Sequence, residues 1–226
     1  MSLERLRGLI VSCQAPVGSP LRDPYVISAM AEASMRNGAV GVRIESPQHV
    51  RAVRDRLPDT PIIGLWKQTL PGSDVYITPQ FHHARAVAEA GADIVAIDGT
   101  LRSRPDKETF IEIVTRVRED LGKIVMADVD TIESARAAME AGVEIVGTTL
   151  YGYTATTQHA KPPGFDLLKD IVRHRSAEVF VVCEGGIASP DMAKQALNLG
   201  ADAVVVGTAI TGIDLQVQQY QSKIGC

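Results

Sequence analysis

The chain has 226 residues, 45% apolar and 22% charged, with 23 basic against 27 acidic side chains and a formal net charge of −4. These are the proportions of a globular protein, and scattered Lys and Arg under a net negative balance argue against a polyanion-binding surface, so no nucleic-acid partner is expected. No apolar run approaches membrane-spanning length, and MSLERLRGLIVSC lacks the apolar stretch and cleavage site of a secretory signal, so no membrane partner and a cytoplasmic location are expected. Cys13, Cys183 and Cys226 form no metal-like spacing, and the first two fall within predicted strands, where free thiols behave as small hydrophobes.

Taken in chain order, the predicted elements alternate. Apolar, β-branched runs at 8–14, 39–44, 61–67, 93–98, 123–128, 144–149, 178–183 and 202–207 read as strands, and their continuous Val/Ile/Ala character suits parallel strands covered on both faces. Amphipathic stretches at 24–37, 47–56, 79–90, 107–120, 131–141, 165–175, 190–199 and from about 214 read as helices. Asp23-Pro24, Ser46-Pro47, Thr78-Pro79 and Ser189-Pro190 each resemble a helix start with proline at the first helical position. Gly38, Gly91, Gly142 and Gly200 recur where a helix ends and a strand begins, the place for a left-handed residue. Eight βα units without an intervening linker predict one domain over 1–226, a (β/α)8 TIM barrel. A doubly wound sheet alternates in the same way but usually has fewer strands.

Gln14, Arg43, Lys67, Asp98, Asp128 and Glu184 each stand where one of these apolar runs ends. In a parallel barrel those ends share one face, and polar residues there read as chemistry. Lys67 follows PIIGLW, so lost solvation would lower its pKa towards that of a useful base, or of a Schiff-base amine; a solvated loop lysine is the plain alternative. Glu184 and Asp128 follow VFVVC and KIVMA, and carboxylates at such positions need partners. They are suited to moving protons, holding Lys67, bonding sugar hydroxyls or bridging to Arg43. Arg43 and Glu45 bracket Ile44 and share a face, and Asp130 competes with Asp128 for the same assignment.

Gln14 offers a neutral donor and acceptor, and Thr148, Thr149, Tyr151 and Tyr153 add hydroxyls, a set that suits a carbohydrate. Gly185-Gly186 after strand seven and Gly207-Thr208 after strand eight occupy the usual phosphate-binding loops of such barrels, although glycines also serve tight turns. The five histidines are dispersed and His82-His83 falls on a predicted helix, so no metal is expected. GxGxxG behind the first strand, Walker and HExxH patterns are absent, which leaves nucleotide and zinc mechanisms without support.

GLIVSCQA, GAVGVRIE, PIIGLWK, the VYIT of SDVYITP, AGADIVAIDGT followed by RSRPD, MADVDT, GTTLYGYT, EGGI and VVVGTAIT occur in order from residue 8 to about 211, about nine-tenths of the chain. Together they resemble the N-acetylmannosamine-6-phosphate 2-epimerases of bacterial sialic-acid and amino-sugar breakdown. The resemblance implies a barrel of the ribulose-phosphate-binding type that inverts carbon 2 of a phosphosugar, without cofactor or metal, as a homodimer. It makes Lys67 and Glu184 the acid/base pair. Gln14, Arg43, Asp128 and Thr148 become substrate-binding groups, and Gly185, Gly186, Gly207 and Thr208 hold the phosphate. The chain departs from the family pattern at Gln68-Thr69, where Arg-Asp is common, at Gly212, where an arginine is common, and at Tyr151, where a small serine is common. The rival readings are another phosphosugar barrel enzyme, such as an aldolase or a different sugar-phosphate epimerase, and a phosphosugar-binding sensor without catalysis.

Overall fold

A computed structural model describes residues 2–225; Cys226 lies outside the described residues. Eight parallel strands close on themselves in sequence order: β1 (Gly8–Cys13), β2 (Gly41–Glu45), β3 (Ile62–Leu65), β4 (Ile94–Asp98), β5 (Ile124–Asp128), β6 (Ile145–Gly147), β7 (Phe180–Glu184) and β8 (Ala203–Val206). The helices are α1 (Pro24–Arg36), α2 (Pro47–Arg56), α3 (Phe81–Glu89), α4 (Phe110–Glu119), α5 (Ile132–Glu140), α6 (Phe165–His174), α7 (Pro190–Asn198), the single turn α8 (Thr208–Thr211) and α9 (Ile213–Ile224). This is the TIM barrel expected from the alternation.

Local signals explain most boundaries. Asp23, Ser46 and Ser189 accept backbone N–H groups of the first turns of α1, α2 and α7, each with proline at its first position. Thr109 and Glu112 cap α4 reciprocally, so that helix begins later than the expected 107. Gly38, Gly91, Gly142 and Gly200 all have positive φ, as terminators between helix and strand should.

Thr78-Pro79 does not start a helix. Instead the chain leaves β3 at Trp66, makes an excursion and returns antiparallel: Lys67 bridges Ile77, the Gln68 N–H donates to Tyr76 O, and the Thr78 N–H donates to Trp66 O. The Thr78 hydroxyl also accepts the Trp66 N–H at 3.0 Å, which commits that residue to the hairpin, and α3 starts only at Phe81. The expected C-terminal helix from about 214 is likewise preceded by α8.

Side chains alternate in and out of the barrel with the period of a strand. Ile10, Ile63, Leu65, Ile94, Ala96, Met126, Ile145, Phe180, Val182, Ala203 and Val205 fill the interior, together with Leu6 from a 3-10 turn at Leu3–Leu6. Outward-facing Val42, Ile44, Val95, Val125, Val181 and Val204 pack beneath the helices. Continuing the inward register by two residues past the apolar layers brings Arg43, Asp98, Asp128 and Glu184 to one end of the barrel.

Gly64 faces outward from β3, where a Cβ would lie 2.7 Å from the Ala92 Cβ and closer still to Val87. Gly64→Ala is therefore expected to lower stability by about 1–3 kcal/mol through overpacking. Chemical denaturation checks this; an unchanged midpoint would contradict the packing assigned to β3.

Candidate active site

Arg43 is 2% exposed and Asp128 fully buried. The guanidinium grips the carboxylate with two hydrogen bonds, to Oδ1 at 3.1 Å and Oδ2 at 2.6 Å. It also lies 2.9 Å from Glu184 Oε2, a side chain that is 12% exposed. One cation thus faces two carboxylates. Burial works against the Arg43 charge, but Asp128 and Glu184 outweigh it and raise the pKa, so the residue stays charged. Burial pushes the Glu184 carboxyl up to about 7, opposed by Arg43 and reinforced by Asp128.

Thr149 joins the two carboxylates, 2.6 Å from Asp128 Oδ1 and 3.1 Å from Glu184 Oε2. A hydroxyl carries a single proton. It is therefore shared between the two carboxylates, with the shorter bond to Asp128, and what it gives Glu184 opposes the rise that burial causes.

The excursion after β3 supplies the opposite charge. Lys67 Nζ donates to Gln14 Oε1 at 2.8 Å, and Gln14 Nε2 in turn donates to Ser12 Oγ at 2.9 Å. Gln14 is thereby fixed with its carbonyl towards the ammonium. Solvent reaches Lys67 through the cavity mouth, yet the surrounding walls strip enough water to lower its pKa, and Arg43 lowers it further. Tyr76 returns on the same hairpin, and burial followed by the Asp128 charge pushes its phenol up to about 12, which keeps it a donor. Lys67, Gln14, Tyr76, Thr149 and Glu184 all line one cavity of about 860 Å³ at this end of the barrel.

The other sequence candidates are placed less evenly. Arg43 and Asp128 lie beneath the cavity rather than on its walls. Thr148 is fully buried, donating to Glu184 O at 2.9 Å and accepting the Glu184 N–H at 3.1 Å, so it anchors the end of β7 while Thr149 faces the cavity. Asp130 accepts from Ser134 and Thr154 at 2.8 and 2.7 Å, whereas Asp128 is held by Arg43 and Thr149. Asp98 pairs with Arg102 at 2.7 Å and accepts the Thr100 hydroxyl at 2.6 Å, and burial raises its pKa.

Gly185, Gly186, Gly207 and Thr208 do line the cavity. Gly185 and Gly186 have φ of 94° and 72°, so the turn itself also requires glycine. As the first residues of α8, Thr208 and Ala209 present N–H groups that have no partner within the helix. A side chain at Gly212 would put its Cβ 2.7 Å from Thr208 Cα, so the close approach of α8 and α9 dictates glycine there. Among the described residues the basic side chains lining the cavity are Arg22 and Lys67. His83 packs against Trp66 and His82 on α3, and no set of three or more His, Cys, Asp or Glu converges as metal ligands among the described residues.

The sequence reading missed Tyr76 and Arg22, and it chose Thr148 over Thr149. VYIT contains no chemical signature, but strict alternation from Ile145 and Gly147 points to Thr149 as the inward residue.

The family model described as "NanE: Putative N-acetylmannosamine-6-phosphate epimerase" matches residues 27–226. Proteins of Synechococcus elongatus and Thermosynechococcus vestitus, both named "Putative N-acetylmannosamine-6-phosphate 2-epimerase", are 61% and 60% identical to this chain. The matches cover 98% and 96% of this chain and 96% and 93% of the relatives. The solved structure of the N-acetylmannosamine-6-phosphate 2-epimerase from Clostridium perfringens superposes with a TM-score of 0.92 at 31% identity, over 98% of this chain and 96% of that one.

Removing the cation from beneath the cavity tests the electrostatics directly. Arg43→Met is expected to cost about 3–5 kcal/mol at pH 8, because two buried carboxylates lose their counter-charge. Glu184 has a folded pKa raised above its unfolded value, so acidification favours the folded form; the deficit should shrink from pH 8 to pH 5.5. Thermal melts at the two pH values read this, and an equal deficit at both would contradict the charge arrangement.

Proposed function

This chain belongs to the N-acetylmannosamine-6-phosphate epimerase family, and on that footing we propose that it interconverts N-acetylmannosamine 6-phosphate and N-acetylglucosamine 6-phosphate. Inverting carbon 2 of the first sugar yields the second. The observation that carries the reading is the cavity shared by Lys67 and Glu184, a base softened by desolvation and a carboxyl raised to about 7. The proton at carbon 2 becomes acidic only when the sugar opens to its aldehyde, which places a carbonyl beside it. A positioned acid/base group then contributes about 10²–10⁴-fold.

Lys67 and Glu184 form the acid/base pair in this proposal. One neutral and one protonated member suffice in each direction, so the working enzyme holds one proton between the two groups. Tyr76 offers a phenol towards the developing oxygen charge, as such transition states require, and Gln14 orients Lys67. Arg43 and Asp128 position the site from below, and Thr149, rather than Thr148, offers its hydroxyl to the substrate. The phosphate is assigned to the Gly185-Gly186 and Gly207-Thr208 loops. Their support is the backbone N–H groups at the start of α8.

The further parts of the reading are a homodimer, a cytoplasmic location and a place in amino-sugar and sialic-acid breakdown. The dimer is supported by α9, which buries none of its residues and exposes Leu215, Val217, Tyr220 and Ile224. An apolar groove of about 360 Å³ between α1 and α8, lined by Leu9, Val11, Met30, Ile210 and Ile213 of α9 itself, can receive apolar side chains of a partner. The location is supported by the free, buried thiols of Cys13 and Cys183.

Lys67→Ala is expected to lower kcat by about 10²–10⁴-fold or more with an unchanged fold. In the wild type, kcat/KM should rise through about pH 7 as Glu184 gives up its proton, and fall again below the ordinary lysine value of 10.5 as Lys67 does. Glu184→Gln should remove the lower limb along with most of kcat. Near-normal turnover in the lysine variant would refute the assignment. Sedimentation equilibrium is expected to give a dimer that Val217→Glu with Tyr220→Glu dissociates; a monomeric wild type would contradict the assembly.

A further inference from the structure

Glu45 ends β2, two residues beyond Arg43 and on the same inward face. Its side chain is 3% exposed and lines the same cavity as Lys67 and Glu184. Unlike those carboxylates that face Arg43, it has little to hold it. Oε1 makes no hydrogen bond, and Oε2 lies 2.6 Å from the Arg22 guanidinium without hydrogen-bond alignment. Arg22 itself is 28% exposed and spends another N–H on Ala15 O at 2.9 Å.

A dry carboxylate with a free oxygen is costly, and native proteins leave few such acceptors unmatched. The backbone here is nevertheless built to hold the side chain inward. The carbonyl of Glu45 is in contact with His49 Nδ1 at 2.8 Å, and the Ser46 N–H donates to Leu65 O at 2.8 Å. Ser46 adopts φ of 78°, a region that a serine enters at a cost, and such backbone persists where its surroundings impose it.

We propose that Glu45 reads the substrate: its free oxygen accepts a hydrogen bond from one hydroxyl of the phosphorylated amino sugar. This rests on the function proposed above. A hydroxyl is the donor that fits, because Lys67 donates to Gln14, Gln14 to Ser12 and Thr149 to Asp128, and none of them reaches Glu45. A fixed negative charge at this wall also repels phosphate, which disfavours the inverted pose and leaves the glycine loops as the anion site. Glu45 is thus a specificity residue that discriminates hydroxylated sugar from shorter or deoxygenated phosphates.

The test compares wild type and Glu45→Gln with N-acetylmannosamine 6-phosphate and its 3-, 4- and 5-deoxy analogues. With the parent sugar, Glu45→Gln should raise KM about 10- to 100-fold, the worth of a hydrogen bond to a charged group, and change kcat by less than about threefold. With the analogue that lacks the hydroxyl meeting Glu45, wild type and variant should have equal KM. A penalty of the same size for the parent and all three analogues would overturn the proposal and make Glu45 an anchor for Arg22. Glu45→Asp carries the same comparison if Glu45→Gln does not fold. If the wild type fails to turn over the parent sugar, the proposed function is what fails, and calorimetric titration of the same four sugars still decides whether Glu45 reads a hydroxyl.

Discussion

The ion cluster of Arg43 with Asp128 and Glu184 is the constraint around which the cavity end of the barrel is organised. Two carboxylates from β5 and β7 cannot share a dry space without a cation, and Arg43 reaches both across the barrel axis. The bidentate grip on Asp128 fixes one carboxylate in place with both oxygens engaged. Glu184, held by a single oxygen and crowded by Asp128, becomes the group whose proton is easily exchanged near neutral pH. The two carboxylates therefore differ by environment, as general acid/base chemistry requires.

Everything else in the site is arranged relative to that cluster. Thr149 ties its two carboxylates together, and Lys67 approaches from the hairpin after β3, where Gln14 steadies the ammonium. Burial lowers the Lys67 pKa and Arg43 adds to that, while Glu45, Glu184 and Asp128 resist the change. The positive charge beneath the floor thus tunes a base that it does not touch. In the proposed mechanism this is why the cluster matters to the rate although Arg43 lies outside the cavity wall.

Much of this is legible in the sequence alone. Strand alternation and the recurrent glycines specified the barrel, because period and left-handed terminators are local properties. The ends of those strands also located Lys67, Asp128 and Glu184, since the fold itself carries those positions to one face. Other features depend on tertiary context. The Thr78-Pro79 pair carries the local mark of a helix start, yet a hydrogen bond from Trp66 holds Thr78 in a hairpin. Thr148 and Thr149 differ only in which side of β6 they occupy past its last paired residue, a choice that only the alternation from Ile145 and Gly147 decides. Tyr76 belongs to the site only because the hairpin brings it back.

The most direct measurement is proton NMR of the enzyme with N-acetylmannosamine 6-phosphate in deuterium oxide. The account predicts that N-acetylglucosamine 6-phosphate appears with deuterium at carbon 2, and that Lys67→Ala abolishes both product and exchange. Product that retains its carbon-2 proton in full, or saturable binding with neither product nor exchange, would contradict proton transfer by the Lys67–Glu184 pair.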